Sequence, residues 1–193
     1  MKLEYGRPCD FASRLDKEKR TYEFLDALGI EYARVDHDVT ATMEECLAVD
    51  GILGAPTCKN LFLTNRQQTA FYLLMMPADK PFKTKDLSAQ IGSSRLSFGS
   101  GEMMEKLLDI TPGSLSVLGL MNDLDHDVSL LIDEDIMAAD SVGVHPCINT
   151  TTLKIGMKDF VERVIPALKH TPRYITLPKY EEKEILRSFL AQT

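Results

Sequence analysis

CKNLFLTNRQQTAFYLLMMPA, residues 58–78, holds two apolar runs on either side of a short polar break at Asn65, Arg66 and Gln67. Leu, Phe and Tyr crowd both runs, a composition that suits strands, and so short a break returns the second strand beside the first. The stretch predicts an antiparallel hairpin at the centre of a sheet. Lys59 sits at its entrance, just ahead of Leu61, Phe62 and Leu63. A lysine on a rim strand is ordinarily a solubility device.

Upstream, DKEKRTYEFLDALGI (16–30) places Thr21, Phe24, Leu25 and Leu28 at helical spacing, with Gly29 as a left-handed stop. IEYARVDH (30–37) alternates apolar and polar residues as a half-buried strand does, and TMEECLAVDGILG (42–54) returns to a helical pattern. Downstream, KTKDLSAQIG (83–92) and SGEMMEKLLDI (100–110) read as two helices, the second capped by Ser100 ahead of Glu102. SLSVLGLMND (114–123), VSLLIDEDIM (128–137) and TTTLKIG (150–156) are strand candidates. MKDFVERVIPAL (157–168) is an amphipathic helix that Pro166 should end or kink, and YEEKEILRSFLAQT (180–193) is a further helix candidate.

Irregular interleaving with short hairpins makes the class α+β: a mixed, largely antiparallel central sheet surrounded by helices. The 193 residues accommodate one substantial domain. We assign it residues 1–174, leaving 175–193 as a C-terminal helical tail.

Hydrophobic residues make up 44% and charged residues 26%, ordinary for a globular chain. No run approaches the roughly 20 apolar residues that span a bilayer, and MKLEYGRPCDF lacks a leader pattern, so a cytoplasmic location is expected. Cys9, Cys46, Cys58 and Cys147 form no CxxC pair, which disfavours disulfides and zinc knuckles. A net charge of −7 is no footprint of a broad nucleic-acid grip. Any such contact must be local, as at Lys80, Lys83, Lys85 and Arg95, unless that run is simply solvated surface.

The chain has no GxSxG elbow, P-loop, GxGxxG fingerprint or HExxH helix. His37 lies between Asp36 and Asp38, but neighbours on a strand point to opposite faces, so a solvated loop explains them better than a metal trio. SVGVHPCINTTT (141–152) packs glycine, histidine and proline into a tight turn that could aim backbone N–H groups at a ligand oxygen with His145 at its rim. Cys147 beside it reads as structural. In GSSRLSFGS (92–100), serine hydroxyls and glycine amides could bond a ribose or phosphate, or serve as helix caps.

Taken in order, CKNLFL, RLSF, LGLMND and GVHPCINTTT resemble the YbaK/prolyl-tRNA-synthetase-associated editing-domain family, especially its free-standing ProX-type branch, over about residues 15–170. The resemblance implies hydrolysis, in trans, of a mischarged aminoacyl-tRNA, with alanine on the proline tRNA as the expected substrate. Cysteine or another small amino acid is an alternative, as is an inactive domain that senses charged tRNA or free amino acid. The need for editing is physical: a pocket built for proline cannot exclude a smaller amino acid when each missing methylene costs only about 1–3 kcal/mol.

By the same resemblance, Lys59 would hold the terminal adenosine or its phosphate and stabilise charge at the ester carbonyl. Gly143, Val144, His145 and Pro146 would form a GxHP loop around the aminoacyl group, with His145 orienting water or the terminal ribose. Asn60, Ser97 and Asn122 match positions near the pocket and could bind amine, ribose or water, or satisfy backbone groups instead. Lys83, Lys85 and Arg95 would contact the acceptor end of the tRNA. Neither metal nor cofactor is implied. Prolyl-tRNA synthetase or an elongation factor is a conceivable partner.

Overall fold

The structure is a computed structural model that describes residues 1–39 and 43–180. Its first sheet is fully antiparallel, in the order β1 (Leu3–Tyr5), β2 (Tyr32–Asp36), β8 (Thr151–Gly156) and β7 (Ser141–Val144). The second is mixed, in the order β5 (Leu96–Phe98), β3 (Cys58–Asn65), β4 (Phe71–Pro77), β6 (Val128–Asp133) and β9 (Arg173–Ile175). There β3 pairs antiparallel with β4 and β5, while β4–β6 and β6–β9 run parallel. The class is the expected α+β, with the strands divided between two sheets.

The hairpin at 58–78 forms as anticipated, with Leu61 opposite Leu74 and Phe62 opposite Leu73. Asn65 closes its turn: its Oδ1 accepts from the Thr69 amide at 2.9 Å and its Nδ2 donates to Thr69 Oγ1 at 2.9 Å. Alternation then sorts the two faces. Phe62, Phe71, Leu73 and Met75 join the main core with Val142, Val144, Leu153 and Ile155 of the other sheet. Leu63, Leu74 and Met76 point the other way, into a smaller core closed by Leu87, Ile175 and Leu177.

Among the described residues, four longer α-helices cover these sheets: α1 (Asp16–Ala27), α2 (Met43–Leu53), α3 (Thr84–Ile91) and α4 (Gly101–Leu108). Gly92 ends α3 at φ 69, and the Ser100 hydroxyl caps α4 by accepting from the Met103 amide. A further helical segment runs from Met157 to Ala167, with a π-type stretch, Phe160–Val164, just before Pro166. The wider turn accommodates the missing N–H and the ring, and the helix ends one residue past the proline, at Ala167, with Leu168 as its C-cap.

Three expectations change. Residues Tyr32–Val35 are buried throughout, because β2 is covered on both faces: Tyr22 of α1 stacks on Tyr32 at 5.9 Å, while Val35 packs with Val49 and Leu53 of α2. The run at 114–123 is not a strand but a 3-10 helix, Val117–Asn122, with Ser116 Oγ capping the Leu118 amide. A short, wholly buried apolar run carries no period by which the two can be told apart. Residues 96–98, which lie between the two helices expected at 83–92 and 100–110 and were not read as a strand, form the edge strand β5. The helix expected over 180–193 falls, from residue 181 onward, outside the described residues.

The two sheets meet at a bridge between Thr57 and Gly143. The Gly143 amide donates to Pro56 O at 2.8 Å, and a Cβ there would lie 2.9 Å from Thr57 Cα. Only glycine permits this approach.

Candidate active site

Beneath the strand carrying Lys59 and Asn60 lies a cavity of about 290 Å³, lined by Cys58, Asn60, Phe62, Phe98, Gly99, Met104 and His145 among others. Gly99 is required there, since a Cβ would stand 2.4 Å from the Phe62 ring. The walls are therefore mainly apolar, with few polar groups converging on the space, as in small-molecule sites generally.

Asn60 and His145 supply that polarity. Asn60 Nδ2 donates to Cys58 O at 3.3 Å, which fixes the amide's orientation because a carbonyl only accepts. Its Oδ1 is buried and has no hydrogen-bond partner. Such an orphan acceptor costs about 1–3 kcal/mol to keep. His145 is partly buried, and its Nδ1 lies 3.0 Å from Thr151 O, so that nitrogen carries the hydrogen and Nε2 presents a lone pair. Burial, above all, holds the His145 pKa below the usual imidazole value, with nearby His37 adding to the effect. The ring is neutral at physiological pH and suited to accept a proton.

Neither buried thiol competes for that role. Burial raises Cys58 to about 12 and Cys147 to about 11, so both stay protonated. Cys147 sits in the main core at φ 61, within 3.6 Å of Thr21 Oγ1, a structural position as expected. Among the described residues, no three His, Cys, Asp or Glu side chains are grouped to hold a metal ion.

The rest of the GxHP loop is spent on the fold. Val144 is fully buried in the main core, Pro146 is also buried, and the Gly143 amide is committed to Pro56. Expected around the aminoacyl group, these three instead anchor β7, and only His145 of the loop lines the cavity. Asn122 is likewise a backbone partner: its Nδ2 donates to Leu108 O at 2.8 Å, satisfying a carbonyl at the end of α4.

Lys59 follows Leu61 and Leu63 to the face of β3 opposite Asn60. Its ammonium donates to Ala78 O at 3.2 Å and Lys80 O at 2.7 Å, and burial pulls its pKa down. Lys80 in turn is buried, paired with Asp133 at 2.6 Å and Asp135 at 3.1 Å. It therefore belongs to the fold rather than to a basic surface.

Lys83, Lys85 and Arg95 do come together. They line a groove of about 660 Å³ with Phe82, Ser88 and Phe98. Phe82 and Phe98 meet edge to face at 6.4 Å, and Phe98 is 63% exposed. The Lys83 ammonium lies 3.7 Å from the centre of the Tyr180 ring. Ser97 is exposed on β5 beside Arg95 and Arg66, outside the cavity. Phe98 lines both the groove and the cavity and so joins them. Sequence reasoning passed it over in favour of its serine neighbours, since nothing in RLSF says which residue an edge strand exposes.

A sequence model of the aminoacyl-tRNA editing domain matches residues 37–162. The chain is 31% identical over 163 residues to the prolyl-tRNA editing protein ProX of Acetoanaerobium sticklandii, covering 84% of this chain and 99% of that protein. It is 29% identical over 141 residues to prolyl-tRNA synthetase associated domain-containing protein 1 of Bos taurus, covering 71% and 82% respectively. The fold matches a crystal structure described as a candidate trans-editing enzyme for prolyl-tRNA synthetase at TM-score 0.63 and 13% identity, over 86% of this chain and all of that one. It matches the hypothetical protein APE2540 at TM-score 0.60 and 16% identity, over 78% of this chain and 94% of that one. With a family match over residues 37–162 and 31% identity to a relative across 84% of its own length, the chain belongs to the aminoacyl-tRNA editing domain family, hydrolases of the ester that joins an amino acid to tRNA.

Proposed function

We propose that the chain removes alanine from mischarged proline tRNA, acting in trans, with the aminoacyl group in the cavity beside Asn60 and His145. The observation that carries this reading is the orphan Asn60 Oδ1 in a pocket of about 290 Å³. An aminoacyl ester always presents an α-ammonium, and a buried acceptor without a partner is complementary to it. The volume lies at the small end of ligand sites, about 300–1,000 Å³, as a sieve for small amino acids requires.

His145 Nε2 takes a proton from water as the water oxygen attacks the ester carbonyl, and the ribose oxygen leaves as the acceptor of that proton. The ester is already activated, so positioning and a neutral base suffice. Lys59 supplies the cation for the terminal nucleotide. The groove of Lys83, Lys85 and Arg95 receives the acceptor strand, whose terminal base stacks on Phe98 at the junction. A few cations at one groove reconcile an overall charge of −7 with tRNA as substrate.

The test is deacylation of Ala-, Cys-, Ser- and Pro-tRNA bearing the proline anticodon at low salt. Rapid loss of alanine with proline spared is the expected result. Preferential loss of cysteine would reassign the substrate, and saturable binding without turnover would make the domain a sensor.

A further inference from the structure

We infer that His37 is a positioning residue for His145, acting through the buried hydroxyl of Thr152. The inference rests on His145 serving as the base of the reading above. His37 Nδ1 lies 2.7 Å from Asp38 O, and His37 Nε2 lies 2.9 Å from Thr152 Oγ1. Thr152 Oγ1 lies in turn 3.4 Å from His145 Nδ1, and the two imidazole rings are 6.3 Å apart. Thr152 is 1% exposed, so water cannot stand in for either partner.

Donor and acceptor roles along this chain are forced. A carbonyl only accepts, so His37 Nδ1 carries the hydrogen and His37 Nε2 offers a lone pair. The Thr152 hydroxyl therefore donates to His37 and turns its own lone pairs toward the Nδ1–H of His145. Both Thr151 O and Thr152 Oγ1 then hold His145 in one tautomer, with Nε2 bare toward the cavity. Second partners of this kind set which ring nitrogen is protonated and how the ring is aimed.

When Nε2 takes a proton from water, His145 becomes an imidazolium whose Nδ1–H stays with Thr151 O and Thr152 Oγ1, and the Nε2 proton then goes to the departing ribose oxygen, so no proton is gained or lost. The charged groups around the pair are Asp38 beside His37, Asp50 acting on His145, and Asp36, whose carboxylate is held by Arg14, Arg34 and Thr151.

The experiment measures steady-state deacylation of Ala-tRNA by the full chain and by His37→Gln, Thr152→Val, Thr152→Ser, the His37→Gln/Thr152→Val combination, and His145→Ala. We expect His37→Gln and Thr152→Val each to lower kcat about tenfold with KM unchanged, and the combination to lose no more than either alone. Thr152→Ser, which keeps the hydroxyl, should hold the normal rate. Normal rates for His37→Gln and Thr152→Val beside an inactive His145→Ala would overturn the inference, as would losses that multiply in the combination. A normal rate for His145→Ala would instead overturn the reading of His145 itself.

Discussion

The ammonium of Lys59 donates to the backbone carbonyl of Lys80 at 2.7 Å, while the ammonium of Lys80 is itself clamped by Asp133 at 2.6 Å. One lysine thus builds the seat of the other. The turn that receives Lys59 is held to β6 by a buried ion pair, and the cation proposed to meet the terminal nucleotide is positioned by the core.

Lys80→Met should therefore be among the most damaging substitutions in the chain. The side chains of Lys80 and Asp133 are 3% and 0% exposed, and removing the lysine leaves the carboxylate buried without its cation. Breaking such a pair costs about 3–5 kcal/mol, which urea unfolding would register as a lowered midpoint. Lys59→Ala should keep the unfolding free energy within about 0.5 kcal/mol of wild type while abolishing most deacylation. Equal destabilisation by both would show that Lys59 serves the fold alone.

Asn60→Leu separates binding from stability in the opposite direction. It deletes the orphan Oδ1, so the protein should unfold no more readily than wild type. Deacylation should nevertheless fall about 10- to 100-fold in kcat/KM, the worth of a hydrogen bond to a charged group. Full activity in this variant would remove Asn60 from substrate binding.

The pH dependence follows from His145. Burial lowers its pKa from 6.5, so the base stays neutral to lower pH than a free imidazole does. The acid limb of kcat/KM should bend below pH 6.5, and a bend above it would contradict a buried neutral base. The linked stability has the same sign. The folded state disfavours the proton, so this contribution is complete above 6.5 and is lost as pH falls through the lowered value.

For the groove, replacing Lys83, Lys85 or Arg95 singly with alanine should weaken tRNA binding. Each change should reduce the slope of log K against log salt by about 0.7, the value for one single-strand phosphate contact. Phe98→Ala should leave the slope unchanged and cost about 1–3 kcal/mol of binding through lost stacking. Unchanged slopes in all three cationic variants would place the acceptor strand elsewhere.

Much of the architecture was legible from local chemistry. The hairpin at 58–78, the Ser100 cap, and the Gly29 and Gly92 stops are each set by residues within a few positions of one another. Strand composition, caps and turn residues act over that range, so one chain was enough to give the class, and the ordered motifs were enough to suggest the family. Residues 114–123 and 96–98 were misread because both owe their form to neighbours far away in sequence, the first inside the main core and the second as an edge strand laid against β3.

The site was decided at longer range. That Lys59 and Asn60 face opposite sides of β3 follows from a period of two, but which side holds the cavity depends on where α4 and the 141–152 turn pack. His37 and His145 are 108 positions apart and become neighbours only because β2 pairs with β8, bringing Thr152 between them. Val144 and Gly143 looked like pocket walls because the motif is contiguous, yet the bridge to Thr57 turns them inward. The sequence by itself determined the elements and the chemical vocabulary of the site. Only tertiary packing, through burial and strand pairing between distant segments, decided which of those groups share a cavity.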